Sequence, residues 1–89
     1  MILSVEVVVA LKPVVNDPQG LVVRDSLHRL GFAGVRSVRV GKSIELEVDA
    51  DTEQAARDQV ERMCEQLLRN TVIEDSRIGD VRVLTEVLP

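Results

Sequence analysis

The chain has 89 residues, 45% apolar with Phe32 as the only aromatic, and fifteen acidic against eleven basic side chains leave a net charge of −4. One domain spanning 1–89 is expected at this length, with a core of Val, Leu, Ile and Ala and little stability to spare. The acidic balance and the lack of stacking aromatics argue against nucleic-acid binding, the single Cys64 excludes an internal disulfide or a cysteine-only metal cage, and no segment reaches membrane-span length, so a soluble cytoplasmic chain is expected.

Residues 2–11 carry Val5, Val7, Val9 and Leu11 at period two, the pattern of a strand with one apolar face. "NDPQG" follows. Asp17 is placed to accept from a free N–H of a helix, and Pro18 suits the first helical position because it has no N–H to leave unpaired. This helix runs to about Leu30, with Val23, Leu27 and Leu30 on one side and Gly31 at its C-terminal cap. Residues 35–40 and 44–49 alternate again around "GKS", which reads as a hairpin or as one long strand bent at Gly41. Asp51 or Thr52 then caps a second helix over about 53–69, whose apolar stripe is Ala56, Val60, Met63, Cys64, Leu67 and Leu68. After "NTVIED" at 70–75 the strand pattern returns at Val81 and Val83.

The order is β-α-β-β-α-β, which packs naturally as an α+β two-layer sandwich. Its form is a four-stranded antiparallel sheet with both helices on one face, the ferredoxin-like arrangement. The uncovered face would carry Glu6, Val8, Ala10, Arg39, Glu45, Glu47, Arg82 and Leu84, and the tail adds Val87 and Leu88. Mixed charge with exposed apolar side chains marks a pairing surface, so self-association is expected.

Catalytic equipment is scarce. His28 has no Ser or Cys at a suggestive spacing, and Cys64 falls on an apolar stripe, where a free thiol acts as a small hydrophobe. Scattered acids form no metal-ligand cluster, and "GFAGVRSVRVGK" has neither Walker nor dinucleotide-binding spacing. Glu74 and Asp75 could form an acid/base pair, but neighbours on an extended segment point to opposite sides. The competing expectation is a helix-to-strand joint, anchored by Val72 and Ile73. Lys42, beside Gly41, is read as solvated unless an anion or an acidic partner surface meets it.

"LKPVVNDPQG" at 11–20, "SLHRLGF" at 26–32, "VRVGKSIEL" at 38–46, "MCEQLLRN" at 63–70 and "NTVIED" occur in series. Together they resemble the small, PurS-type subunit of phosphoribosylformylglycinamidine synthase, over about Val5 to Val83. The resemblance implies a non-catalytic subunit that bridges a large synthetase and a glutaminase in purine biosynthesis. There, glutamine-derived ammonia converts formylglycinamide ribonucleotide to the amidine. It implies no catalytic, cofactor or metal residue in this chain, since ATP and Mg²⁺ belong to the synthetase. It also implies a homodimer, with a tetramer as the larger alternative.

The family motif maps onto Asp17, Pro18, Gln19 and Gly20, onto Gly41 and Lys42, and onto Asn70, Thr71, Val72, Ile73, Glu74 and Asp75. Ser76 departs from it, where members commonly carry an aromatic. The rival expectation is a small-molecule-binding regulatory domain of the same strand and helix order, with its ligand loop at "NDPQG".

Overall fold

The computed structural model describes residues 1–84. Three long strands, β1 (Ile2–Leu11), β2 (Gly41–Asp49) and β3 (Glu74–Val83), form one antiparallel sheet in the order β2-β1-β3. Helix α1 (Pro18–Arg29) follows β1, and helix α2 (Glu53–Met63) follows β2. Strict alternation makes β1 the centre of the sheet. Leu3, Val5, Val7 and Val9 are all buried on one face, and Ser4, Glu6, Val8 and Ala10 lie on the other.

The core is the β1 row together with Val48, Ala50, Ala56, Val60 and Cys64. Helix α2 and the turn that extends it supply the last three, and α2 lies over β1 and β3. Thr52 caps it, its hydroxyl accepting from Ala55 N–H at 3.0 Å. Only Glu53–Met63 is α-helical; Cys64–Leu68 widens into a single π turn. The wider turn rotates the last residues off the expected stripe, so Leu67 is 82% exposed instead of packed.

The expected fourth strand does not form within the chain. Residues 35–40 lie outside any regular element, and "GKS" is no hairpin turn: Gly41, Lys42 and Ser43 pair with Ala10, Val9 and Val8 as the first residues of β2. The physical reason is where the backbone groups of 35–40 go. Val40 N–H is taken by the Asp17 carboxylate, and the Val35 carbonyl accepts from His28 Nε2 at 2.7 Å. The segment is bound to α1 rather than to another strand.

Nor do both helices share one face of the sheet. Helix α1 has no extended packing against any strand, and its apolar side is left open, with Val23 37%, Leu30 74% and Phe32 58% exposed. Gly31 sits just past the helix end at φ 101°, the left-handed conformation that ends a helix cleanly. The molecule is correspondingly long, 55 × 29 × 14 Å with a radius of gyration of 17.1 Å, against about 12 Å for a compact chain of this length. A ten-residue strand spans about 33 Å and a twelve-residue helix about 18 Å, so α1 reaches past the end of the sheet like an arm.

β3 begins at Glu74, well before the Val81–Val83 pattern. A bulge hides its start: Ile78 opposes Val7 and Val81 opposes Val5, three residues against two. Arg39, expected on the open sheet face, lies off the sheet entirely, while the tail residues Val87 and Leu88 lie outside the described residues. The open face is more polar than expected. Glu6 and Glu45 stand directly opposite one another, and Glu6 is held by Ser43 Oγ at 3.0 Å and by Asp80 N–H at 3.4 Å.

Leu3→Ala should cost about 2–5 kcal/mol, and Leu67→Ala less than about 0.5 kcal/mol. Urea unfolding at fixed chain concentration checks both, followed by circular dichroism because the chain has no Trp or Tyr.

Candidate functional site

Three stretches far apart in sequence, 17–20, 41–42 and 70–75, meet at one end of the sheet. Ala10 is flanked by Gly41 on one side and Asp75 on the other, and Leu11 pairs with Glu74. The convergence follows from topology: β1 ends where β2 and β3 begin, so the loop into α1 and the starts of the two outer strands share a corner.

Asp17 organises that corner. Its side chain is 5% exposed, and its two oxygens accept from Gly20 N–H and Val40 N–H, each at 2.8 Å. One carboxylate therefore caps α1 and ties it to the residue before β2. Pro18 occupies the first turn, as its fixed φ and missing N–H favour. Gly20 is buried against the Val38 carbonyl, so close that a Cβ there would lie 2.1 Å from the oxygen; only glycine lets the helix approach. Arg39 completes the clamp, donating to the carbonyls of Lys12 at 2.8 Å and Val15 at 2.9 Å.

The "NTVIED" stretch forms a hydrogen-bonded joint. Asn70 Oδ1 accepts from Val72 N–H at 3.0 Å, and the Asn70 carbonyl accepts from Ile73 and Glu74 N–H. Asn70 N–H donates to Glu74 Oε1 at 2.7 Å, while Lys12 N–H donates to the Ile73 carbonyl at 2.8 Å. Thr71 is exposed. Val72 and Ile73 do not anchor the joint as expected, being 78% and 39% exposed. Hydrogen bonds hold this turn, and its apolar side chains face water.

Glu74 and Asp75 are the first residues of β3 and point to opposite faces of the sheet. The Glu74 carboxylate is spent on Asn70, and that of Asp75 on Lys12 Nζ at 3.7 Å. They share no site. Ser76 faces the same side of the sheet as its partner Val9.

An open cleft of about 280 Å³ lies between the arm and the sheet, with Leu11, Asp17, Gln19, Lys42 and Glu74 among its walls. Lys42 is exposed on the second residue of β2. Within "NDPQG", the Asp17 carboxylate is taken up by backbone N–H groups. Among the described residues, no group of three or more His, Cys, Asp or Glu is placed to hold a metal, and no helix is long and apolar enough to cross a membrane. Cys64 is buried in the core, and His28 braces the arm. Reasoning from sequence missed the roles of Lys12 and Arg39. Both fall inside family stretches, but the bonds they make appear only once the corner is assembled.

The Val40 and Gly20 N–H groups, chiefly the former, hold the Asp17 carboxyl below the ordinary aspartate value of 3.8, with burial opposing and Arg39 assisting. A depressed folded pKa means that the stabilisation is present above the unfolded value and is lost as pH falls through the folded one. Thermal melts from pH 7 down to about pH 2 should therefore show Asp17→Asn less stable than the parent at neutral pH. The gap should shrink below about pH 4, as the parent's own carboxylate is protonated.

A model of the PurS family, phosphoribosylformylglycinamidine (FGAM) synthase, matches residues 4–81. The chain is 51% identical over 67 residues to the PurS subunit of that synthase from Synechocystis, covering 75% of this chain and 67% of that one. The structure of Thermus thermophilus PurS superposes with a TM-score of 0.86 at 30% identity, over 96% of this chain and 100% of the other. The structure of PurLQS from Thermotoga maritima does so with a TM-score of 0.82 at 32% identity, over 89% and 96%. The match runs from the first strand into the last and takes in the whole corner just described: the chain belongs to the PurS family of FGAM synthase.

Proposed function

We propose that this chain acts as a non-catalytic bridging subunit of FGAM synthase, joining the ATP-dependent synthetase to the glutaminase, and that it does so as a self-associated pair. The observation that carries this reading is a site built for shape rather than chemistry. At the corner where the family motif converges, Asp17, Asn70 and Glu74 are each committed to backbone N–H groups. Groups so occupied fix the geometry of a surface and are not free to move protons.

Two relatives give the reading its context. The Methanocaldococcus jannaschii PurS is one of the subunits of formylglycinamide ribonucleotide amidotransferase in the purine biosynthetic pathway, and the Thermotoga maritima protein was solved as part of PurLQS. On this reading, glutamine hydrolysis belongs to the glutaminase, and ATP, Mg²⁺ and amide activation belong to the synthetase. This chain holds the two in register. Its own contribution is interface: Val72 and Leu67 stand exposed on and beside a turn fixed by hydrogen bonds, and rigid presentation of apolar side chains lowers the entropic cost of docking. Self-pairing is supported by the uncovered apolar side of α1 rather than by the open sheet face, which is largely polar.

Reconstitution tests the proposal. Glutamine-dependent turnover by the matching synthetase and glutaminase should rise about tenfold or more when this chain is added, a change of at least about 1.4 kcal/mol in the barrier. Equal rates with and without the chain would contradict it.

A further inference from the structure

In a regular helix, residues four apart are surface neighbours, so Glu65 would be the natural counterion of Arg69. Glu53 and Arg57, in the regular part of α2, do pair in this way at 3.1 Å. The π turn at Cys64–Leu68 breaks the spacing for the second couple. Arg69 N–H bonds to the Cys64 carbonyl, five residues back, at 3.2 Å, and Arg69 itself is extended, with φ −128° and ψ 153°. Among the described residues no ion pair joins it to Glu65 or to any other carboxylate. The acids of the adjoining joint are already engaged, Glu74 with Asn70 N–H and Asp75 with Lys12 Nζ.

The Arg69 guanidinium is therefore short of both charge and acceptors. The residue is half-buried, and Nη1 reaches the Glu74 carbonyl only at 3.4 Å. Nε is buried with no acceptor, the one such side-chain atom among the described residues. A cation partly withdrawn from water, without counterion or full hydrogen bonding, costs the free chain stability. The same π turn puts Leu67 outside at 82% exposure, and the turn that follows holds Val72 out at 78%. One local distortion thus strips Arg69 of its counterion and sets it between two exposed apolar side chains along the chain. Turns of this kind recur at functional sites, and an Arg beside exposed apolar groups has the composition of an interface hot spot.

Resting on the bridging role proposed above, we infer that Arg69 receives an acidic side chain of another subunit of the synthase. The partner is not a second copy, whose cover is the open side of α1. Its carboxylate sits among apolar residues that close over Leu67 and Val72. Charge selects this occupant: an anion supplies the missing counterion and the missing acceptor together, whereas a main-chain carbonyl supplies only the acceptor. Rotation of the long Arg69 side chain toward the incoming group brings Nε and Nη2 against its two oxygens, in two parallel N–H···O bonds. The apolar surround keeps water from the pair, where a charged hydrogen bond is strongest. A partner lacking the acid is rejected, because docking would seal an unpaired cation from water.

Titration calorimetry tests this, with the parent chain, Arg69→Gln and Arg69→Lys each added to the synthetase, to the glutaminase and to their mixture. Arg69→Gln should bind at least about tenfold more weakly, with melting midpoint and self-association unchanged. Gln keeps an amide donor for a carbonyl, so a loss of that size marks a carboxylate. Arg69→Lys keeps the charge without the planar fork and should fall between the two. It carries the test alone where the Gln variant does not fold. Parent-like binding by either variant would overturn the inference and leave the bridging role standing. Altered self-association with intact binding to the other subunits would overturn it too, since the occupant would then be a second copy. A parent chain that binds in none of the three titrations would overturn the bridging role itself.

Discussion

The carboxylate of Asp17 decides the shape of this molecule. By accepting from Gly20 and Val40 together, it welds the start of α1 to the residue just ahead of β2. Once that bond pair is made, helix α1 and residues 35–40 become one body attached at a single corner. The buried contact of Gly20 with the Val38 carbonyl and the grip of Arg39 on the Lys12 and Val15 carbonyls reinforce the same attachment. Everything outside the corner divides into a closed half, β1–β3 under α2, and an arm that the closed half cannot cover.

That division bears on what a subunit of FGAM synthase built this way contributes. Three polar side chains of the family motif are spent on main-chain groups: Asp17 on the arm, Asn70 and Glu74 on the joint before β3. They hold two surfaces at fixed positions, the apolar side of α1 and the exposed turn bearing Val72. A subunit that sets the relative positions of larger partners needs rigidity at its contact points more than it needs acids and bases, and the hydrogen bonds are concentrated there.

Local physics makes much of this readable from the chain alone. The alternation of β1, the Asp17-Pro18 helix start and the Gly31 stop each rest on neighbours within a few residues, and each is where the pattern places it. Serial motifs identify the family. What escapes depends on distant partners. Residues 35–40 have a strand's alternation but lose their hydrogen bonds to α1. The bulge in β3 separates Ile78 and Val81 by three and breaks the period of two, hiding a ten-residue strand. The π turn at Cys64–Leu68 moves Leu67 outward against a clean helical stripe.

The self-pairing proposed above makes a second copy the cover for the apolar side that α1 leaves open. Folding and pairing are then one equilibrium, and mass action must show in the melting temperature. Thermal unfolding of the isolated chain, measured over about two decades of concentration, should give a midpoint that climbs steadily with concentration. A midpoint that stays constant across that range would contradict the account.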